Sequence, residues 1–357
     1  MKEFQTNDIG LMRLRAQGIA ERQYKRPEDV VKHLLAMQAQ DYSGALWSVG
    51  LRTNGCTQSD VEQAIRDRKI IRTWPMRGTL HFVHADDVHW LLALTAPRAT
   101  AAARSRRINF LGLSDEIVAQ AEQVLRRELK GGRSIVRNRI TALLNQNIES
   151  FEVTNQHTQH LMRNFGERGI ICFGPNEGKQ PTFVLLDEWV GEHREITRPV
   201  ALAALAKRYF ISHGPATLRD FGGWAMLTVA DAKLGLELAQ AELDSAEING
   251  HAYYFAPGLK ALSHSETFLL PGFDEYLLGY KQRDAVLNPV HSQKVVPGGN
   301  GMFLPTIIKN GQVIGIWKRQ IKKTRVDFNY SYFNPNNDRD MLGAQTEDHY
   351  RNFVGSN

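Results

Sequence analysis

The chain has 357 residues, of which 42% are hydrophobic, enough for two or more domains with substantial cores. No apolar run reaches bilayer length, and Met1 to Thr6 carry no signal-peptide core, so the expectation is a cytoplasmic protein with no membrane association. Cys56 and Cys172 lie far apart and no Cys/His spacing would build a zinc site; free thiols, no metal and no cofactor are expected.

The net charge is +6, modestly basic, and its distribution says more than its size. Arg104, Arg106 and Arg107 form one cluster. Arg126, Arg127, Lys130, Arg133, Arg137 and Arg139 form a second, and Lys318, Arg319, Lys322, Lys323 and Arg325 a third. A solvated helix face is the usual meaning of such a run; three of them bring nucleic acid forward as a partner class.

In chain order, Pro27-Glu28-Asp29 opens a helix whose apolar stripe is Val30, Val31, Leu34, Leu35 and Met37. The polar segment Gln38-Ala39-Gln40-Asp41 ends that run, and Ala45 to Val49 reads as a second short helix. Thr57 is the expected N-cap of a third helix running to about Arg68. Ile70 to Trp74 and Thr79 to Val83 then read as strands around Met76-Arg77-Gly78. Helices followed by a β-hairpin make a winged helix.

The same order recurs. Helices are expected from Ser114 to Leu129, from an N-cap at Ser134 to Leu144, and from an N-cap at Thr154 to about Arg168. Ile170 to Phe173 and Pro181 to Leu185 follow as strands. A third copy begins at Arg198: helices over Ala201 to Tyr209, Leu218 to Ala225, and from the Thr228 cap to about Leu243. Its hairpin pairs Ser245 to Ile248 with Ala252 to Phe255 across Asn249-Gly250, and Ala216 to Leu238 fits helix-turn-helix spacing. From about Glu266 the texture is β-rich, with elements over Phe268 to Asp274, Met302 to Ile308 and Gln312 to Lys318. The residues from about 334 onward are polar and read as a loosely ordered tail.

The expected fold class is therefore α+β: three tandem winged helices at residues 8–95, 96–196 and 197–262, a β-rich region at 263–333 and a polar tail at 334–357. Three winged helices with a β-rich cap suggest a curved scaffold able to embrace a duplex.

Four stretches carry a resemblance. They are Leu35 to Trp47, Arg72 to Val83, His213 to Phe221, and Leu270 to Tyr276. Together they resemble the winged-helix DNA glycosylases typified by AlkZ and YcaQ, over about residues 8 to 330. The resemblance implies a monomeric, C-shaped stack that binds double-stranded DNA on its concave face, in a nucleoid-associated setting. It also implies hydrolysis of the N-glycosidic bond of N7-alkylated purines, with interstrand crosslinks unhooked by some members. No deep pocket for a flipped base is implied. The family signature is Gln, an apolar residue, then Gln or Asp. Gln38-Ala39-Gln40 places this chain nearer the AlkZ-like branch.

Two glutamines suffice for such chemistry. An N7-alkylguanine is already cationic, so its departure needs no strong general acid. The sugar becomes oxocarbenium-like, and positioned dipoles with an oriented water are what the reaction requires. A Gln carbonyl orients the water while its amide donates elsewhere. Residues i and i+2 of a regular helix point about 200° apart, so the helix must end or distort between Gln38 and Gln40 if both are to act. The alternative is that the two amides merely tie down a helix end.

Around this pair, Asp41 is either a supporting residue or a turn cap. Trp74 either stacks near a lesion or fills the core, and Arg77 is a candidate phosphate contact. Thr79 and His81 are candidate pocket residues, with His81 alternatively satisfying buried backbone. Arg104, Arg106, Arg107, Arg137, Arg139, Lys318, Arg319, Lys322 and Lys323 are the candidate DNA-phosphate contacts, which position without reading sequence. Asp274 and Glu275 read as a structural carboxylate pair; a hydrolase built on them would lack a nucleophile motif, a phosphate loop and metal spacing. The competing function is a non-catalytic winged-helix DNA-binding protein or regulator.

Overall fold

The computed structural model describes residues 5–191, 195–264, 266–322, 325–334 and 344–355. Packing divides the chain into a larger unit, Met1–Ala64 with Leu202–Asn357, and a smaller one, Ile65–Ala201. These limits differ from the expected boundaries at 95/96 and 196/197. The early helices lie in the larger unit, and the hairpin expected to be their wing packs with the smaller.

The larger unit opens with helices Thr6–Ala16, Pro27–Leu34 and Tyr42–Arg52. Pro27 sits in the first turn of its helix, where its missing N–H costs nothing, and Val30, Val31 and Leu34 are buried. Thr57 and Asp60 exchange hydrogen bonds at the start of Gln58–Arg66, the expected cap. After residue 201 the element order is helices and then a hairpin. Leu218–Ala225 starts from a capping box of Thr217 and Asp220, and Val229–Ala239 from the Thr228 cap. Asp244–Ile248 pairs with His251–Phe255. Asn249 and Gly250 both hold positive φ (52° and 74°), as a two-residue type I′ turn demands.

The β-rich region is a four-stranded antiparallel sheet, ordered Val326–Tyr332, Gln312–Ile321, Thr306–Lys309, Thr267–Leu270. The β elements expected over Phe268 to Asp274 and Met302 to Ile308 are shorter. Residues 271–273 leave the sheet, Asp274 caps the turn Glu275–Leu278, and pairing restarts only at Thr306. The last strand was not expected from the sequence. Nor was the helix Ala344–Val354, which occupies part of the supposedly loose tail. Tyr350 and Phe353, each 2% exposed, pack on Trp47 with ring centroids 4.9 and 5.1 Å away. Two aromatic residues one turn apart were enough to dock this helix, in a stretch whose average polarity hid them.

Beneath the sheet lies a buried ion pair. Arg52 is fully buried and Asp274 is 5% exposed. The guanidinium meets the carboxylate in a two-pronged bond (Nη2 to Oδ1 2.8 Å, Nη1 to Oδ2 2.9 Å). Its other protons go to the main-chain oxygens of Gln17 and Ser48 and to Gln17 Oε1. Asp274 also accepts from Ser48 Oγ at 2.7 Å and from the Tyr276 amide at 2.9 Å. Every strong polar group here is satisfied, the condition under which a buried pair is tolerated.

The smaller unit has the hairpin Ile70–Met76/Thr79–His84 and the helices Val88–Leu111, Asp115–Leu129, Arg137–Asn147 and Asn155–Glu167. Its three-stranded sheet runs Ile135–Val136, Thr182–Leu185, Ile171–Phe173. The 24-residue helix, which holds Pro97 in its interior, was not among the expected elements. Ser134 was expected to cap the next helix. Ile135 and Val136 pair with Phe183 and Thr182 instead, and the helix begins at Arg137 without a side-chain cap. Trp74 lies in the core, its ring 5.0 Å from that of Phe173 and 6.5 Å from that of Phe183.

Both cysteines are free and buried, and burial pushes the Cys56 thiol up to about 12. Among the described residues no helix is long and apolar enough to cross a membrane.

Arg52→Met should lower stability by about 3–5 kcal/mol, because it strands Asp274 as an uncompensated buried charge; urea unfolding of the two proteins side by side reads this. A pH dependence also follows. Burial holds His33, His160 and His349 neutral, each pushed down to about 4 from 6.5. Between those values the unfolded chain binds more protons than the folded one, so stability is complete above about pH 6.5 and falls towards pH 4. His349→Phe should make that fall shallower in thermal melts taken across this range.

Candidate active site

Gln38 and Gln40 are not on a helix. The Pro27–Leu34 helix stops at Leu35, which holds φ +69°, and Ala36–Gln38 is extended. Met37 and Ala39 are buried, Gln38 is half-buried and Gln40 is exposed. Burial thus alternates with the two-residue period of an extended chain. The obstacle expected from helical geometry disappears, since Gln38 and Gln40 occupy the more exposed positions of this alternation while Ala39 between them and Met37 before them belong to the core. The terminal Oε1 of Gln38 is itself buried and meets no donor among the described residues.

The backbone beneath Gln38 is anchored by Glu275, whose Oε1 accepts the Gln38 N–H at 3.0 Å. Oε2 of the same carboxylate accepts the Trp224 indole N–H at 2.9 Å, and His213 Nε2 lies 3.6 Å from it. Glu275 is 1% exposed. On the other side of the pair, Asp41 stands at the N-cap position of Tyr42–Arg52 and accepts from Ser43 Oγ at 3.1 Å. Gly44 makes room for this carboxylate: a Cβ there would lie 2.6 Å from Asp41 Oδ2. Arg319 donates to Ser43 Oγ at 3.1 Å and lies over the Trp317 and Tyr350 rings. A cation is thereby bonded to Ser43, three residues after Gln40 in the chain.

The second motif, in the smaller unit, centres on a tight turn. Arg77 and Gly78 hold φ values of 57° and 65°. Arg77 Nη2 donates to His81 Nε2 at 2.9 Å, and His81 Nδ1 lies 2.9 Å from the Thr79 carbonyl oxygen. A guanidinium only donates and a carbonyl only accepts, so His81 carries its proton on Nδ1 and is neutral. His81 is fully buried, while Arg77 and Thr79 are partly exposed. Trp74 does not line a site: it is 9% exposed in the core, and Gly166 admits it so closely that a Cβ there would lie 2.3 Å from the indole.

The expected phosphate contacts separate into distinct environments. Arg106, Arg137, Arg139 and Lys318 are exposed, with no ion-pair partner among the described residues. Arg137 and Arg139 stand in the first turn of their helix, which carries no acidic residue. Cations there oppose the helix dipole and gain most when an anion lies between them and the free amides. Arg104 is exposed but pairs with Asp115, as Lys322 does with Asp327 at 2.5 Å. Arg107 is a correction. It is 6% exposed and bonds the Leu113 and Ser114 carbonyls and Asp115, so it stitches a helix end and is withdrawn from DNA. Lys323 lies outside the described residues.

Reasoning from the residues had taken Asp274 and Glu275 as a structural pair and left Trp224 and His213 without a role. All four lie within the stretches that carried the family resemblance or next to them, which was the available signal.

A family model for AlkZ-like DNA glycosylases matches residues 31–348. An interstrand DNA cross-link repair glycosylase from Streptomyces sahachiroi is 26% identical over 333 residues, covering 86% of this chain and 85% of that protein. The solved structure of the Streptomyces sahachiroi DNA glycosylase AlkZ superposes with a TM-score of 0.82 at 23% identity, covering 99% of this chain and 98% of the other. The architecture and the match over nearly the whole length agree: this chain belongs to the AlkZ-like family of DNA glycosylases.

Proposed function

We propose that this chain hydrolyses the N-glycosidic bond of N7-alkylated purines in double-stranded DNA, as a monofunctional and monomeric glycosylase, with Gln38 and Gln40 as its catalytic residues. The observation that carries this reading is the alternation of burial along 37–40, which sets Gln38 and Gln40 at the more exposed positions and Met37 and Ala39 in the core. Gln38 Oε1, an acceptor with no donor among the described residues, is suited to orienting a water or facing a developing cation. The cationic leaving base needs no proton, so the proposed chemistry requires no general acid. Asp41 supports the segment at the next helix start, and Arg319 supplies nearby positive charge for the flanking phosphate.

The name of the Streptomyces relative, an interstrand cross-link repair glycosylase, supports including crosslinks among the substrates. Phosphate affinity is assigned to Arg106, Arg137, Arg139 and Lys318, with Arg104 and Lys322 available if their carboxylate partners are exchanged for DNA. Arg77, bonded to neutral His81, presents a partly exposed guanidinium at a turn and is assigned to the same task.

Base release from a duplex carrying one N7-methylguanine tests the reading directly. Gln38→Ala with Gln40→Ala should abolish release while DNA affinity stays within about threefold, since amides off the phosphate path contribute little binding. Equal loss of release and affinity would return the pair to a folding or binding role, and wild-type binding without release from methylated or crosslinked duplexes would favour a regulator. A salt titration tests the interface. Affinity should fall steeply with salt, and Arg137→Ala with Arg139→Ala should reduce the slope of log K against log salt by about 2.

A further inference from the structure

Glu275 is a buried charge that the proposed chemistry does not use. At 1% exposure its carboxylate is tolerated only if both oxygens are satisfied. Each is, by a different element: Oε1 by the Gln38 amide at 3.0 Å, Oε2 by the Trp224 indole at 2.9 Å. Two donors facing its two oxygens favour the ionised form, which accepts at both, whereas a neutral amide of the same shape has one acceptor and one donor.

The anchor is itself held. The Glu275 carbonyl accepts from Gln17 Nε2 at 3.3 Å and from the Gly279 amide at 2.9 Å, and the preceding residue is the Asp274 locked by Arg52. Trp224 packs against Tyr209 and His213, with ring centroids 5.0 and 5.2 Å away. A rigid, charged acceptor therefore ends on the main chain of one residue, Gln38. Bonds from a backbone amide to a charged acceptor are about twice as strong as neutral ones. Catalysis by positioned dipoles loses about a hundredfold for a displacement of about 1 Å.

We infer that Glu275 is a positioning residue for base release: its carboxylate, clamped by Trp224, fixes the backbone of Gln38 and so the placement of that side-chain carbonyl. This rests on the reading of Gln38 as catalytic.

The test combines single-turnover base release from N7-methylguanine duplex with hydrogen–deuterium exchange over residues 36–41, on the full chain. Glu275→Gln keeps the shape but points a donor at a donor. It should slow release by about tenfold to a hundredfold, leave DNA affinity within about threefold, and speed exchange over 36–41. Exchange in the Thr306–Lys309 and Gln312–Ile321 strands should not change. In a Gln38→Ala background the same substitution should cause no further loss of release, which a general structural role would not predict. Trp224→Phe should act in the same direction with smaller size, and it replaces Glu275→Gln if that variant fails to fold. Unchanged release, a loss that adds in full to that of Gln38→Ala, or unchanged exchange over 36–41 would each overturn the inference. If the wild type releases no base, the catalytic reading of Gln38 fails, and the exchange measurement alone decides whether Glu275 holds that segment.

Discussion

Two consecutive carboxylates organise the polar interior of the larger unit. Asp274 neutralises Arg52 and thereby ties the third helix to the turn after the sheet's edge strand. Glu275, one residue on, reaches in another direction to the Gln38 backbone and to Trp224. Neither charge tolerates the loss of its partners, because the penalty for an unpaired ion in such surroundings exceeds what neighbouring apolar contacts offset. Segments more than two hundred residues apart in the chain are held in one arrangement by this requirement, and the glutamine segment is one of them. Stability and site geometry share the same few atoms.

The smaller unit is built on different terms. Its core is aromatic and aliphatic, with Trp74, Phe173 and Phe183 at its centre, and its charged groups stay mostly at the surface. Arg107 is buried and serves carbonyls at a helix end, and Asp87 and Glu167 are buried as well. The exposed arginines at the start of Arg137–Asn147 gain nothing from the fold itself, which is the usual condition of residues kept for a partner.

Much of this was legible in the sequence, for definite reasons. Capping residues with fixed offsets (Thr57, Thr154, Thr217, Thr228) and the Asn249-Gly250 turn are local chemistry, and local chemistry can be read from neighbours alone. The mixed helix and sheet class was read from these signals with the apolar patterns, and the family from the four stretches that carry the resemblance. What escaped depended on distant partners. Pro97 sits within a long helix because tertiary packing overrides one missing hydrogen bond. The helix Ala344–Val354 exists because Trp47, some three hundred residues earlier, gives two aromatics a surface. At the site, the expectation that a helical run ends or distorts between Gln38 and Gln40 set that end too late: the helix stops at Leu35, and nothing in the neighbouring residues signals the positive φ there. Arg107 shows the opposite limit, since residue type suggested contact with DNA and burial withdrew it, whereas Trp74 takes the core alternative that the sequence had left open.

The burial alternation over residues 37–40, which begins in the strand Ala36–Gln38, also bears on the spacing of the signature. In an extended chain every second side chain shares a face, so the two polar positions and the apolar position between them are one statement about parity. Ala39 must be apolar because its parity is that of the core, and Met37 for the same reason. A single residue inserted or deleted between Leu35 and Gln38 would exchange the two sets, moving the glutamines to the core positions and Met37 and Ala39 to the more exposed ones. Point substitutions at the middle position can drift among small apolar residues, whereas length variation in those few residues is forbidden by the geometry of the chain itself.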